Sequence, residues 1–156
     1  MLLKPGRLDP EEFSLVRTHA AIGKRILGDS SSELISLAAE IAESHHEKWD
    51  GSGYPQGLAG TDIPLSARIV AVADVFDALT TQRPYKGAMS FDDALDCIRA
   101  ESGRHFDPAC VEAFCSRWPD ILIVGGQNDA LGRLHNQQAT EPWARVPMLL
   151  REIAKS

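Results

Sequence analysis

Long apolar runs are the first thing this 156-residue sequence lacks. Its most apolar stretch, Ala67 to Leu79, is broken by Arg68, Asp74 and Asp77, so nothing approaches the roughly 20 apolar residues that a membrane-spanning helix needs. Signal-peptide character is absent too. Cysteine is scarce: Cys97, Cys110 and Cys115 are odd in number and form no C-x-x-C pair. That excludes a disulfide framework or a zinc ribbon and predicts a reducing, cytoplasmic compartment. Positive charge is also short. With 16 Lys and Arg against 22 Asp and Glu the net charge is −6, which excludes a broad DNA-binding surface, because sequence-independent binding is carried by basic contacts to phosphates. A small nucleotide stays admissible, since a few well-placed cations hold it without making the whole surface basic. Alternating strand patterns are missing as well. What is present is 44% apolar residues, grouped mostly at helical spacing, enough for one globular all-α unit.

The opening Met1 to Gly6 reads as the tail of a preceding element, because apolar residues run into a Pro-Gly turn signal. A first helix is predicted from Asp9 as N-cap, with Pro10 at its first position and Glu11 and Glu12 in its first turn, to about Gly28. Phe13, Val16, Ala20 and Leu27 mark its buried face, and His19 lies at the edge. A second helix, capped by one of Ser30 to Ser32, places Leu34, Leu37, Ala38 and Ile41 inward and ends on His45, pointing at the core. The third begins near Pro64 and extends to about Thr81; its centre, Ile69 to Leu79, is apolar almost all round and is expected to be buried on several sides. Ser90 caps a fourth helix to about Ser102, and Pro108 starts a fifth to about Arg117. Ile121 to Val124 reads as strand or turn. Beyond Gly125 and Gly126 the chain to Glu141 is linker-like, and Trp143 to Ile153 is a marginal amphipathic helix.

Asp74 stands among Ile69, Val70, Ala71, Val72, Ala73, Val75 and Phe76, where a carboxylate is expected to be cut off from water and to need a cation. Arg68, six residues away, points well round the helix from it. Asp77, one turn on, shares that pocket or faces Arg83 or solvent. The other candidates are His19, His45 and His46, because neutral imidazoles with a carboxylate form a common ligand set for iron, zinc or manganese. A lone helical histidine is more often structural. Two of them ending an amphipathic helix, followed by Glu47 and a glycine-rich loop, have no evident packing purpose. Neighbours on a helix diverge by about 100°, so His45 and His46 suit two metals, or a metal and its surrounding shell, better than one ion. In the loop Asp50 to Gly57, Gly51, Gly53 and Gly57 permit positive φ, which serves either a tight turn or a loop that shapes a pocket.

The run His45-His46-Glu47-Lys48-Trp49-Asp50-Gly51-Ser52-Gly53-Tyr54-Pro55-Gln56-Gly57-Leu58 strongly resembles the H-H-E-x-x-D-G-x-G-Y-P-x-G-L signature of HD-GYP domains. The likeness continues through Ile63-Pro64, Ala67-Arg68-Ile69, Val72 to Leu79, Arg83-Pro84-Tyr85-Lys86 and Gly103 to Pro108, and upstream through Lys4-Pro5-Gly6, Glu11-Glu12-Phe13 and His19. It covers about residues 3 to 116. It implies an HD-domain-like helical bundle, about five helices of it present and its N-terminal helices missing, that hydrolyses the bacterial second messenger cyclic di-GMP. Two or three divalent metals, iron foremost and manganese next, would activate water and polarise the phosphodiester. Matched residue by residue, His19, His45, His46 and Asp74 resemble metal ligands. Arg83 and Lys86 resemble ligand-binding cations, although on sequence alone they read equally as a solvated helix end. The loop of Asp50, Gly51, Gly53, Tyr54 and Pro55 is implied to border the substrate site and to contact diguanylate cyclase (GGDEF) domains. Residues 1–120 are assigned to this domain and 121–156 to a C-terminal extension.

The namesake His-Asp pair, and the lysine that follows it in the family, do not occur in these residues. The expectation is therefore an undersupplied metal site with impaired or absent turnover, and apolar surface that a second copy would cover. Two alternatives stand beside it: a regulatory module that binds nucleotide or partner without turnover, and a related phosphohydrolase acting on another nucleotide.

Overall fold

The computed structural model describes residues 9–28, 30–82 and 87–124. Among the described residues five α-helices, α1 (Pro10–Leu27), α2 (Glu33–Ser44), α3 (Leu65–Thr80), α4 (Phe91–Ala100) and α5 (Pro108–Ser116), precede a short helical stretch at 118–124. A single 3-10 turn, Gly60–Asp62, precedes α3. No strand occurs among the described residues, only an isolated bridge between Ser102 and Phe106, so the all-α expectation holds.

Local chemistry sets the helix ends. The Asp9 carboxylate accepts from the amides of Glu11 and Glu12 at 3.0 and 2.9 Å, and the Glu12 carboxylate takes the Asp9 amide at 2.9 Å, completing a capping box. Gly28, at φ 65°, closes α1 in a conformation that side chains disfavour. Ser90 accepts from the Asp93 amide at 3.1 Å and Asp107 from the Ala109 amide at 2.8 Å, so α4 and α5 begin where Ser90 and Pro108 predict. Residues 118–124 are helical, not strand or turn as expected for Ile121 to Val124. The Arg117 carbonyl accepts the amides of Asp120 and Ile121 and so restarts helical pairing.

The core is built on one side of α3. Ala71, Val72, Val75 and Leu79 pack with Met89, Ala94, Cys97, Ile98, Phe106 and Val111. Phe76 meets Phe91 and Phe114 edge-on at 5.3 Å and Trp118 at 5.9 Å. The opposite stripe of α3 corrects the sequence reading: Ile69 is 54% exposed, and Ala73 and Asp74 are exposed. Helices α2, α4 and α5 all touch α3, yet no described element covers that stripe, so Asp74 reaches water without a buried cation. The same holds for α2, where Leu34 and Leu37 face outward and Ala39 and Ser44 are the buried positions. Arg83 and Lys86 lie outside the described residues, as do the opening Met1 to Gly6, the linker and the Trp143 to Ile153 helix.

Candidate metal centre

The packing of α1 on α2 brings the first histidine to the other two. Gly23 lets the helices approach closely, since a Cβ there would lie 3.2 Å from the Ala42 Cβ, and Lys24 pairs with Glu43 at 2.6 Å. His19 on α1 thereby meets the end of α2. That helix stops at Ser44; His45 is its C-cap and the chain turns away through His46. The adjacent pair is therefore not spread by continued helical divergence, and its ring centroids lie 4.0 Å apart. Ligand nitrogens of His19, His45 and His46 all lie within 4.8 Å of one another.

Backbone carbonyls set the tautomers. His19 Nδ1 lies 2.6 Å from the Val16 carbonyl, and His45 Nδ1 lies 3.0 and 3.1 Å from those of Ile41 and Ala42. A carbonyl only accepts, so each Nδ1 carries the proton and each Nε2 presents a lone pair. His46 Nε2 meets His19 Nε2 at 3.0 Å. Burial pushes the His46 pKa down to about 3, helped by repulsion from His45, His19, His105 and Lys48, so the ring is neutral at ordinary pH. Three imidazoles, two of them oriented by carbonyls, fit a first-row divalent cation.

The loop that follows is fastened on several sides. Glu47, 2% exposed, accepts the Gln56 amide at 2.7 Å and the Leu58 amide at 3.0 Å. The Trp49 and Asp50 amides donate to the carbonyls of His105 and Arg104 at 3.0 and 2.9 Å, tying the loop to the α4–α5 connection. Gly53 is required by space: a Cβ would lie 2.3 Å from the Lys48 nitrogen and 2.5 Å from the Glu47 Cα. Gly51 adopts φ 80°. These contacts seat Tyr54, 5% exposed, with its ring stacked on His46 at 4.7 Å. Burial lifts the Tyr54 pKa to about 12; Arg17 lowers it and Asp74 raises it, which places α1, the loop and α3 around one neighbourhood. Pro55 follows on the exposed side of the loop.

The structure thus brings three of the four predicted ligands together and leaves Asp74 outside the three-imidazole group, exposed but within electrostatic reach of Tyr54. Sequence reasoning missed Arg17, Lys48 and His105. Lys48 is 7% exposed, and burial lowers its pKa against the opposing pull of Asp50 and Glu101. His105 is pushed down to about 4, first by burial and then by Lys48. No periodicity marks these three; only the folded loop brings Lys48 and His105 beside His46.

Comparison with known proteins shows what the chain is similar to. The family model for the HD domain matches residues 1–110. A cyclic di-GMP phosphodiesterase of Thermotoga maritima is 53% identical over 124 residues, covering 80% of this chain and 34% of the relative. The cyclic di-GMP phosphodiesterase response regulator RpfG of Xanthomonas campestris is 54% identical over 127 residues, covering 81% of this chain and 34% of the relative. Among solved structures, a cyclic GMP-AMP-specific phosphodiesterase of Vibrio cholerae superposes with a TM-score of 0.55 at 26% identity, covering 94% of this chain and 36% of that one. The chain spans 34% of the length of the two curated relatives. On these grounds the chain belongs to the HD domain family, in its HD-GYP branch.

Proposed function

We propose that the chain forms the imidazole-bearing part of a metal-dependent phosphodiesterase domain that hydrolyses cyclic di-GMP. The observation that carries this is the convergence of His19, His45 and His46, two of them with Nε2 freed by Nδ1–carbonyl bonds, in a family whose relatives are named for that activity. In this reading the three imidazoles hold a divalent cation, iron foremost and manganese next, and Asp74 supplies a carboxylate to one of the two or three ions of the complete site. Such ions, when bound, supply Lewis-acid activation of water and of the phosphodiester. The chain's own residues orient the ligand nitrogens through Val16, Ile41 and Ala42 and hold the rim through Tyr54. Arg83 and Lys86 grip the nucleotide, and the loop around Asp50, Gly51, Gly53 and Pro55 offers a face to GGDEF domains. Residues 1–120 constitute the domain and 121–156 its extension; the uncovered α3 stripe suits a second copy.

No His-Asp pair occurs in the sequence, and three imidazoles with one carboxylate hold a multinuclear site weakly, so turnover by these 156 residues alone is impaired. A second reading, a nucleotide- or partner-binding regulatory module, is favoured by Asp74 standing apart from the cluster. The deciding experiment is anaerobic cyclic di-GMP hydrolysis with Fe(II) or Mn(II), by this chain and by a version extended upstream with a His-Asp segment. Turnover by the extended version alone supports the phosphodiesterase; nucleotide binding without turnover by either version supports the module.

A further inference from the structure

We propose that Arg17 binds a phosphate oxygen of the ligand held at the imidazole cluster. The inference rests on the phosphodiesterase reading and adds a residue to its substrate site. Arg17 lies on α1, two positions before His19, and is exposed. Its guanidinium carbon sits 4.6 Å from the centre of the Tyr54 ring and 5.8 Å from that of Phe13. Tyr54 is buried and stacked on His46, so the cation and an imidazole of the cluster are fastened to one rigid platform. A guanidinium resting on a ring uses its face and leaves its N–H edge for an acceptor. No hydrogen bond or ion pair joins Arg17 to another described residue. Among the described residues the edge is therefore uncommitted, beside a site proposed to hold a phosphodiester.

Charge supports the same assignment. The chain carries a net −6, so its overall field repels a phosphodiester, and attraction must be supplied locally. Arg17 supplies it where it is needed: its charge acts on both the Tyr54 hydroxyl and Lys48. Arginine suits the task because its planar fork matches phosphate oxygens in pairs. A purely structural cover for Tyr54 would need the stem and the face, not the free edge.

The test is calorimetric titration of the Mn(II)-loaded chain with inorganic phosphate and, separately, with cyclic di-GMP, for the unaltered protein, Arg17→Ala and Arg17→Lys, at low and high salt. Helical circular dichroism and Mn(II) affinity are followed for each variant. Arg17→Ala is expected to weaken phosphate binding about tenfold or more at low salt, with the loss shrinking as salt rises, while Mn(II) affinity stays unchanged. Arg17→Lys is expected to fall between. If Arg17→Ala does not fold, Arg17→Gln carries the same expectation, since it keeps much of the stem and loses the charge. Equal phosphate affinity with and without the guanidinium, or no phosphate binding by the unaltered loaded chain, overturns the assignment. Arginine-dependent phosphate binding without cyclic di-GMP binding upholds Arg17 and instead rejects the proposed substrate.

Discussion

Arg68 donates to the Asp107 carboxylate at 2.6 Å, with the two side chains only 16% and 5% exposed, tying α3 to the start of α5. Asp107 also caps α5 through the Ala109 amide, so one carboxylate serves an ion pair and a helix end. Asp107→Ala leaves a buried guanidinium without its partner, and about 3–5 kcal/mol of stability is expected to be lost in urea unfolding. Asp107→Asn keeps an oxygen for the cap and should lose less. A loss below about 1 kcal/mol for the alanine variant would put the pair in the class of exposed bridges.

Gly53 is the tightest position in the loop. The three nearest atoms to an added Cβ, at 2.3 to 2.6 Å, all belong to the backbone of Glu47 and Lys48, which cannot rotate aside. Gly53→Ala must open the turn, breaking the hydrogen bond that the Tyr54 amide donates to the His46 carbonyl at 3.2 Å. Both melting temperature and Mn(II) affinity are expected to fall. Gly87→Ala, whose Cβ meets nothing within 4 Å, serves as the comparison and should lose neither through a clash.

Glu47 holds the Gln56 and Leu58 amides with its two oxygens. In Glu47→Gln one of those oxygens becomes an amide donor facing a donor, at a cost of about 1–3 kcal/mol. Hydrogen exchange at Gln56 and Leu58 should accelerate while exchange in the α4 core stays slow. Protection retained at both amides would contradict the assigned role of the carboxylate.

Acid should weaken the metal-free fold in a defined window. His46 and His105 are held neutral in the folded chain, at about 3 and about 4, against 6.5 for a free histidine. The unfolded state therefore binds more protons below about pH 6.5, and stability present above that pH is lost as pH falls toward 4. Urea midpoints measured in chelator across that range should decline, and His105→Gln should flatten the decline. A profile insensitive to His105→Gln would show that the imidazole is not buried in neutral form.

Much of this architecture was legible because it is written locally. Asp9, Pro10 and Glu12 announce the start of α1, Ser90 that of α4, and Pro108 that of α5, each through contacts no more than three residues apart. The grouping of His19, His45 and His46 was legible through their residue type and the loop motif that follows them. What could not be read depends on distant pairing. The partner of Arg68 lies 39 positions away, and the exposure of Asp74 follows from which helices cover α3. The convergence of His45 and His46 hinged on one detail, that α2 ends at Ser44 and not a residue or two later. Arg17 was invisible because its significance comes from a ring 37 positions on.

Of the 18 residues of α1, Ala20 alone is fully buried, while Leu15, Ile22 and Ile26 face outward. Among the described residues the helix thus buries little of its own apolar surface. A cation shared by His19, His45 and His46 would act on α1 as a cross-link, fastening it to the end of α2 at a point 27 residues along the chain from His46. Metal occupancy and the docking of this helix then become one equilibrium, so that stripping the ion would peel α1 away before the α3–α4 core responds.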